Sequence, residues 1–367
     1  MKNLRRPGAI LVAISLVCVA LLFLLLTANL FFLKYKVTPT QTAYIPQTRT
    51  YFIAAENVLW DYAPSGKDPY TNEALPAPWG EQTKYKKVRF IEYTDDTFTT
   101  KKIQPEWLGI LGPIIRAVEG DTIKVDFYNK ADKPYSIHPH GVHYDKDNEG
   151  ASMGSSAAMM GADKNMEGAG AKIMPGEKFT YTWFATPDSA PQPSEGGSKV
   201  WWYHSHVDIT QDVYDGLLGP IIITSAKNAR PDGTPNDVDK EFVTIFMIFD
   251  ESKPGMTADQ KEGGLKHTIN GYIFDNLPGL TMNEGDKVRW HLLGMGNEMD
   301  VHTAHWHGGV VLSRESNTYT DVVELLPGSM KTVDMLATNV GEWMYHCHVK
   351  DHIIAGMIAV YKILPRK

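Results

Sequence analysis

The chain has 367 residues, a formal net charge of −7 and no basic tract. It offers no electrostatic footprint for a phosphate backbone, which excludes nucleic acid as a partner. Its two cysteines are Cys18, inside an apolar N-terminal run, and Cys347, near the C-terminus, so a disulfide framework is excluded and Cys347 stands as a lone thiol in the folded part.

Residues 9–33 are an uncharged apolar run of 25 residues preceded by Lys2, Arg5 and Arg6. At about 1.5 Å per residue, a helix of that length outspans a hydrocarbon core of roughly 30 Å. It is longer than the apolar core of a cleaved leader, and Thr27, Ala28 and Asn29 make a poor cleavage site. Residues 1–36 are therefore expected to be a cytoplasmic stub and a transmembrane helix. The basic residues before the span put the folded part outside the cytoplasm, periplasmic or at the cell surface, and secreted should the segment be cleaved.

The remainder is enough for two domains of about 165 residues each. It is organised as an internal repeat. Glu119, Gly120 and Asp121 open a strand-like run as Glu284, Gly285 and Asp286 do, and about twenty residues after each comes a histidine cluster ending in His-Gly. Pro175-Gly176 precedes the alternating run 178–183 as Pro327-Gly328 precedes 330–335, and each copy closes with Tyr-His-x-His. Short β-branched and aromatic runs at 122–128, 200–203, 243–249 and 357–361, punctuated by Gly, Pro, Asn and Asp, have no helix-periodic counterpart outside the N-terminal run. The fold class expected is all-β, two Greek-key β-sandwich domains after the transmembrane helix, over 46–226 and 238–365, joined by a polar linker at 226–240. Residues 150–176 break the strand rhythm with Met153, Met159, Met160, Met166 and Met174. They read as a surface loop or as a thioether docking patch for Cu(I), since soft sulfur suits a soft ion.

Ten of the thirteen histidines fall in four groups: His138 and His140; His204 and His206; His302, His305 and His307; His346, His348 and His352. Alternate residues of a strand face the same way, so His-x-His pairs can share one metal or a close metal pair. In the tripeptide 346–348 both imidazoles leave the strand on one side and the Cys347 thiol on the other, so one segment can serve two sites. His302, Cys347, His352 and Met357 supply two imidazoles, a thiolate and a soft axial thioether, a blue-copper set. Structural zinc would not need one Cys bracketed by two His with further imidazoles nearby, and facial-triad iron would need a carboxylate with its two His.

Four stretches carry a family resemblance: YFIAAENVLWDYAPSG at 51–66, YHSHVD at 203–208, GMGNEMDVHTAH at 294–305 and HCHVKDHIIAGM at 346–357. The chain resembles the multicopper oxidases, and within them the first and last domains of the six-domain ceruloplasmin and hephaestin group, over about 51–364. The resemblance implies cupredoxin-like domains and four copper ions per subunit. His302, Cys347, His352 and Met357 would hold the type 1 copper, His138 and His305 the type 2, and His140, His204, His206, His307, His346 and His348 the type 3 pair. The first copy is expected to lack a blue site, with Tyr135, Ser205 and Leu217 in the matching places. Dioxygen would be reduced to water with electrons from a one-electron donor.

The resemblance also places Glu262, His267 and Asp351 where ferroxidases of this kind hold iron, implying Fe(II) as donor, with phenols or Cu(I) as alternatives; the remaining acidic ligand of that site comes from a domain absent here. The bland reading puts Glu262 and His267 in an exposed Gly-rich turn. A copper nitrite reductase would leave several of the eight cluster imidazoles surplus, and a copper store would not need Cys347 between two ligands. His143 is either a proton relay or a surface histidine. In two-domain members of the family the two halves of the cluster meet between neighbouring subunits of a ring, so a homotrimer is expected.

Overall fold

The computed structural model describes residues 44–151 and 167–366. The expected transmembrane helix, and Met153, Met159, Met160 and Met166, lie outside the described residues. Among the described residues no helix is long and apolar enough to cross a membrane.

Each repeat folds as a pair of sheets. In the first, Lys84–Tyr93, Thr48–Asp61, Thr122–Asn129 and Lys178–Phe184 lie side by side, and the second sheet orders Ile115–Val118, Leu218–Thr224, Ser198–His204 and His138–Pro139. In the second repeat, a sheet built around Lys240–Asp250, Lys287–Gly294 and Met330–Leu336 accompanies one in which Ile358–Leu364, Gly341–Cys347, His302–Trp306 and Val322–Leu325 are neighbours. The four expected strands appear as Thr122–Asn129, Ser198–His204, Lys240–Asp250 and Ile358–Leu364. Thr48–Asp61 pairs in parallel with Thr122–Asn129, as Lys240–Asp250 does with Lys287–Gly294, so the chain crosses between sheets in each repeat. Between the strands, Ile209–Asp215, Ala258–Gly264 and Lys350–Ile354 are helical. At one to two turns each, they are too short to impose a 3.6-residue pattern.

The period-2 geometry of strands explains how the repeats join. In Lys240–Asp250, Phe242, Phe246 and Ile248 enter the second repeat's core, while the alternate Val243, Ile245, Met247 and Phe249 face the other way. There they meet Trp60, Tyr62, Val200, Trp202, Leu218 and Ile222 of the first repeat in a shared apolar layer. The first repeat's Ile221 and Ile223 turn to its own core in the same alternation. Polar groups lock the edge of this layer. Arg289 is fully buried and reaches Asp237 at 2.8 Å, Asp334 at 2.8 Å and Ser198 at 3.0 Å. Glu241 takes Arg116 at 2.8 Å, Ser198 at 2.7 Å and His291 at 3.0 Å. Residues 226–240 are not a slack tether, since Asp237 also accepts the Gly197 N–H at 2.8 Å.

Candidate metal centre

The buried trio comes from three elements. His302 opens the strand His302–Trp306, Cys347 ends Gly341–Cys347, and His352 sits in the helix Lys350–Ile354. Strand register sets Ala304 opposite Cys347 and so brings the thiol up to His302. The Nδ1 atoms of His302 and His352 are 3.1 Å apart, and Cys347 Sγ is 3.5 Å from the second and 3.9 Å from the first. His302 Nε2 lies 3.2 Å from Asp300 Oδ1, a fully buried carboxylate that also accepts the N–H groups of Ile248 at 2.7 Å and Asn297 at 2.9 Å. That bond holds the His302 proton on Nε2 and turns the Nδ1 lone pair to the thiol. The Thr303 N–H points at Sγ at 3.4 Å. Met357 is fully buried; its N–H binds the His352 carbonyl and its carbonyl the Cys347 N–H, both at 3.0 Å, so it is anchored to both other elements.

Burial, then the neighbouring His302, pushes His352 down to about 4, and burial raises the Cys347 thiol. Two imidazole nitrogens thus converge on one sulfur. The donor set of nitrogens and soft sulfur fits copper, whose binding would release the thiol proton.

The other eight imidazoles form two quartets related by the repeat. Register puts His138 opposite His204 and His305 opposite His346. His140 Nε2 is 3.2 Å from His204 Nε2, and His307 Nε2 is 3.0 Å from His346 Nε2. The rings of His206 and His348 stand 5.1 Å from those of His138 and His305. Backbone carbonyls fix the tautomers: His138 Nδ1 lies 2.7 Å from the Glu149 oxygen, His305 2.8 Å from Asp321, His204 2.9 Å from Ser205 and His346 2.8 Å from Cys347. Their Nε2 lone pairs are therefore left facing other imidazoles. Burial lowers the proton affinity of His140 to about 4 and of His204 to about 3, and that of His138, His307 and His346 in the same direction. Opposed, deprotonated nitrogens at 3.0–3.2 Å suit shared cations better than each other. His206 Nδ1, buried without a hydrogen-bond partner, points to the same need.

His140 and His307 are each followed by a glycine with positive φ, Gly141 at 72° and Gly308 at 68°. A Cβ there would lie 2.0 Å from the Trp201 ring or 2.6 Å from the Trp343 ring, so the indole under each quartet demands glycine. Among the described residues, no hydrogen bond or ring contact joins the first quartet to the second.

In the first repeat, Tyr135, Ser205 and Leu217 are fully buried in the places of His302, Cys347 and the axial residue. Asp212 stands four residues before Gly216 as His352 stands four before Gly356, and it accepts the Ser205 hydroxyl at 2.6 Å. A hydrogen-bonded pair thus stands, in the first repeat, at the positions that match Cys347 and His352 of the second.

Glu262, His267 and Asp351 do not gather into a cluster as tight as these. Glu262 is exposed in the helix Ala258–Gly264, started by a Thr257–Gln260 capping box rather than lying in a turn. His267 is buried in the strand Leu265–Ile269, its ring 5.0 Å from that of His352 and its Nδ1 without a partner. Asp351 is exposed on the helix of His352. His143 is a surface residue bonded to Asp188 at 2.9 Å. Asp300, Glu149 and Asp321 escaped the sequence reading. Asp300 had a signal, two residues before His302 in an extended segment, but carbonyl contacts leave none.

Multicopper oxidase family models match residues 93–228 and 250–367, between them more than half of the chain and all twelve candidate copper ligands. The chain belongs to the multicopper oxidases. Human ferroxidase HEPHL1 is 37% identical over 346 residues, and mouse hephaestin 38% identical over 352, each alignment covering 86% of this chain and 29% of the relative. This multicopper oxidase chain therefore spans less than a third of those relatives. A solved multicopper oxidase superposes with a TM-score of 0.60 at 20% identity, covering 86% of this chain and 89% of that one, so the fold is the cupredoxin-like fold of the family.

Proposed function

We propose that this multicopper oxidase couples one-electron oxidation of a donor at the His302, Cys347, His352 and Met357 site to reduction of dioxygen to water at the histidine quartets, with four copper ions per chain. The observation that carries the proposal is the tripeptide 346–348: its thiol lies in the buried trio while His346 belongs to a quartet. Copper would supply reversible one-electron chemistry at the first site and, as a cluster, the four-electron reduction of dioxygen at the second. Cys347 joins the sites through a few covalent bonds of one strand. Asp300 keeps His302 turned to the thiol, and the carbonyls of Glu149, Ser205, Asp321 and Cys347 hold four imidazoles with Nε2 presented. The proposed roles follow the repeat: His138 and His305 for type 2 copper; His140, His204, His206, His307, His346 and His348 for type 3.

Among the described residues no hydrogen bond or ring contact joins the two half-sets, so the reading includes a homotrimer of head-to-tail chains, the first quartet of one subunit facing the second of its neighbour. It also includes the division into domains at 46–226 and 238–365 and an N-terminal anchor at 1–36 that keeps the oxidase outside the cytoplasm.

Fe(II) is the proposed donor. Relatives named ferroxidase support it, as does His267, whose unpartnered nitrogen sits beside His352 with Asp351 on the adjoining helix and Glu262 on the helix preceding its strand. A second reading, an apolar or phenolic donor, is favoured by Met299, Val301 and Ile354, which are about half exposed and close in sequence to His302 and His352. Oxygen uptake by the copper-loaded protein with Fe(II), Cu(I) and a phenol, repeated on Glu262→Ala, separates the two. Selective loss with Fe(II) supports the iron site, and unchanged rates with every donor remove it. Copper-replete protein without a blue band near roughly 600 nm would overturn the whole proposal.

A further inference from the structure

Away from the histidines, a cavity of about 320 Å³ opens beside Asp275. Pro69, Leu277 and Val360 give it apolar walls, Tyr70 an aromatic one, and Glu342 and Lys362 stand at its rim. Asp275 is only 9% exposed, and its Oδ1 is fully buried without a hydrogen-bond partner. A lone buried polar atom of this kind is a net cost to the fold. The backbone holds it there: Phe274 and Asp275 have φ of 48° and 59°, and their N–H groups donate to the carbonyls of Gly356 at 2.9 Å and Ile358 at 3.1 Å.

The charges around the cavity favour a cation. Lys362 is engaged by Glu342 at 2.8 Å, and Asp68 adds a further negative field at Asp275. Burial, then Asp68, raises the Asp275 carboxyl to about 7, as expected of an acid lacking its counter-charge. A divalent metal is disfavoured. It needs about six oxygen ligands, and among the described residues the groups of three or more close ligand side chains are only those of the histidine sites.

We infer that this cavity binds a primary alkylammonium ion, its charge on the Asp275 carboxylate and its alkyl stem against Pro69, Leu277 and Val360. The site is independent of the copper proposal, because neither Asp275 nor the cavity walls belong to the candidate ligand set. Titrating the full-length protein with n-butylammonium chloride at about pH 8, followed calorimetrically, tests it. Saturable one-to-one binding, weakened at least about tenfold in Asp275→Asn and absent with butan-1-ol, is expected. Asn tolerates positive φ, and Asp275→Gly, which suits it better still, serves as the second variant should the first fold poorly. Equal binding by wild type and variant, no saturable binding by the wild type, or displacement of the amine by equimolar calcium would each overturn the assignment.

Discussion

If the two quartets belong to different clusters' halves within each chain, two inactive variants should rescue one another. His140→Ala disables only the first quartet and His307→Ala only the second, since each ring bonds within its own set. In a head-to-tail ring, every interface draws its first quartet from one chain and its second from the next. With equal, randomly assorted amounts, half of the chains offer an intact first quartet and half an intact second. About one quarter of interfaces therefore regain all eight imidazoles, whatever the number of subunits in the ring. The assay is oxygen uptake per chain after co-expression or joint refolding, with copper content measured on the same samples. Each variant alone should be essentially inactive, because an imidazole of its cluster is lost. A mixture no more active than its components would refute the reasoning, because clusters closed within one chain cannot be repaired by a neighbour.

Asp300→Ala strips one carboxylate from the N–H groups of Ile248 and Asn297 and from His302 Nε2. A loss of about 3 kcal/mol in copper-free denaturant unfolding is expected, and one under about 1 kcal/mol would contradict the assigned bonds. Arg289→Met removes the cation shared by Asp237 and Asp334, but Asp334 keeps Arg314 and Asp237 reaches solvent, so a cost of about 1–3 kcal/mol is expected by the same measurement. Asp275 has a folded-state pKa of about 7, above its unfolded value, so the folded state binds its proton more tightly. Its contribution is fully present below the unfolded value, about pH 4, and is lost as pH rises to about 7. Asp275→Asn should flatten that fall, with Asp68, Glu342 and Lys362 unchanged around it. A melting profile that falls as steeply in the variant would assign the pH dependence to another group.

The histidine groups were legible because metal ligands recur at strand spacing, and 346–348 put two sites on one tripeptide. The strands at 122–128 and 243–249 were legible from their β-branched and aromatic runs. What stayed hidden was set by distance in the chain. Glu149 and Asp321 act through backbone oxygens, which carry no residue signature. Asp212 matches His352 only when counted back from Gly216, because the spacing from Ser205 is longer than that from Cys347 to His352. The helix Ala258–Gly264 was read as a turn because its glycines mask a Thr-x-x-Gln start. The approach of Phe274 to Gly356, where an added Cβ would meet the ring at 2.7 Å, joins residues more than eighty apart.

The strand Lys240–Asp250 is greasy on both sides, and that ties each repeat to its twin. Cut free of its twin, the C-terminal repeat would bare Val243, Ile245, Met247 and Phe249 to water, at roughly 1.5–3 kcal/mol for each large side chain. An engineer wishing to express either repeat alone would have to rewrite those alternate positions first.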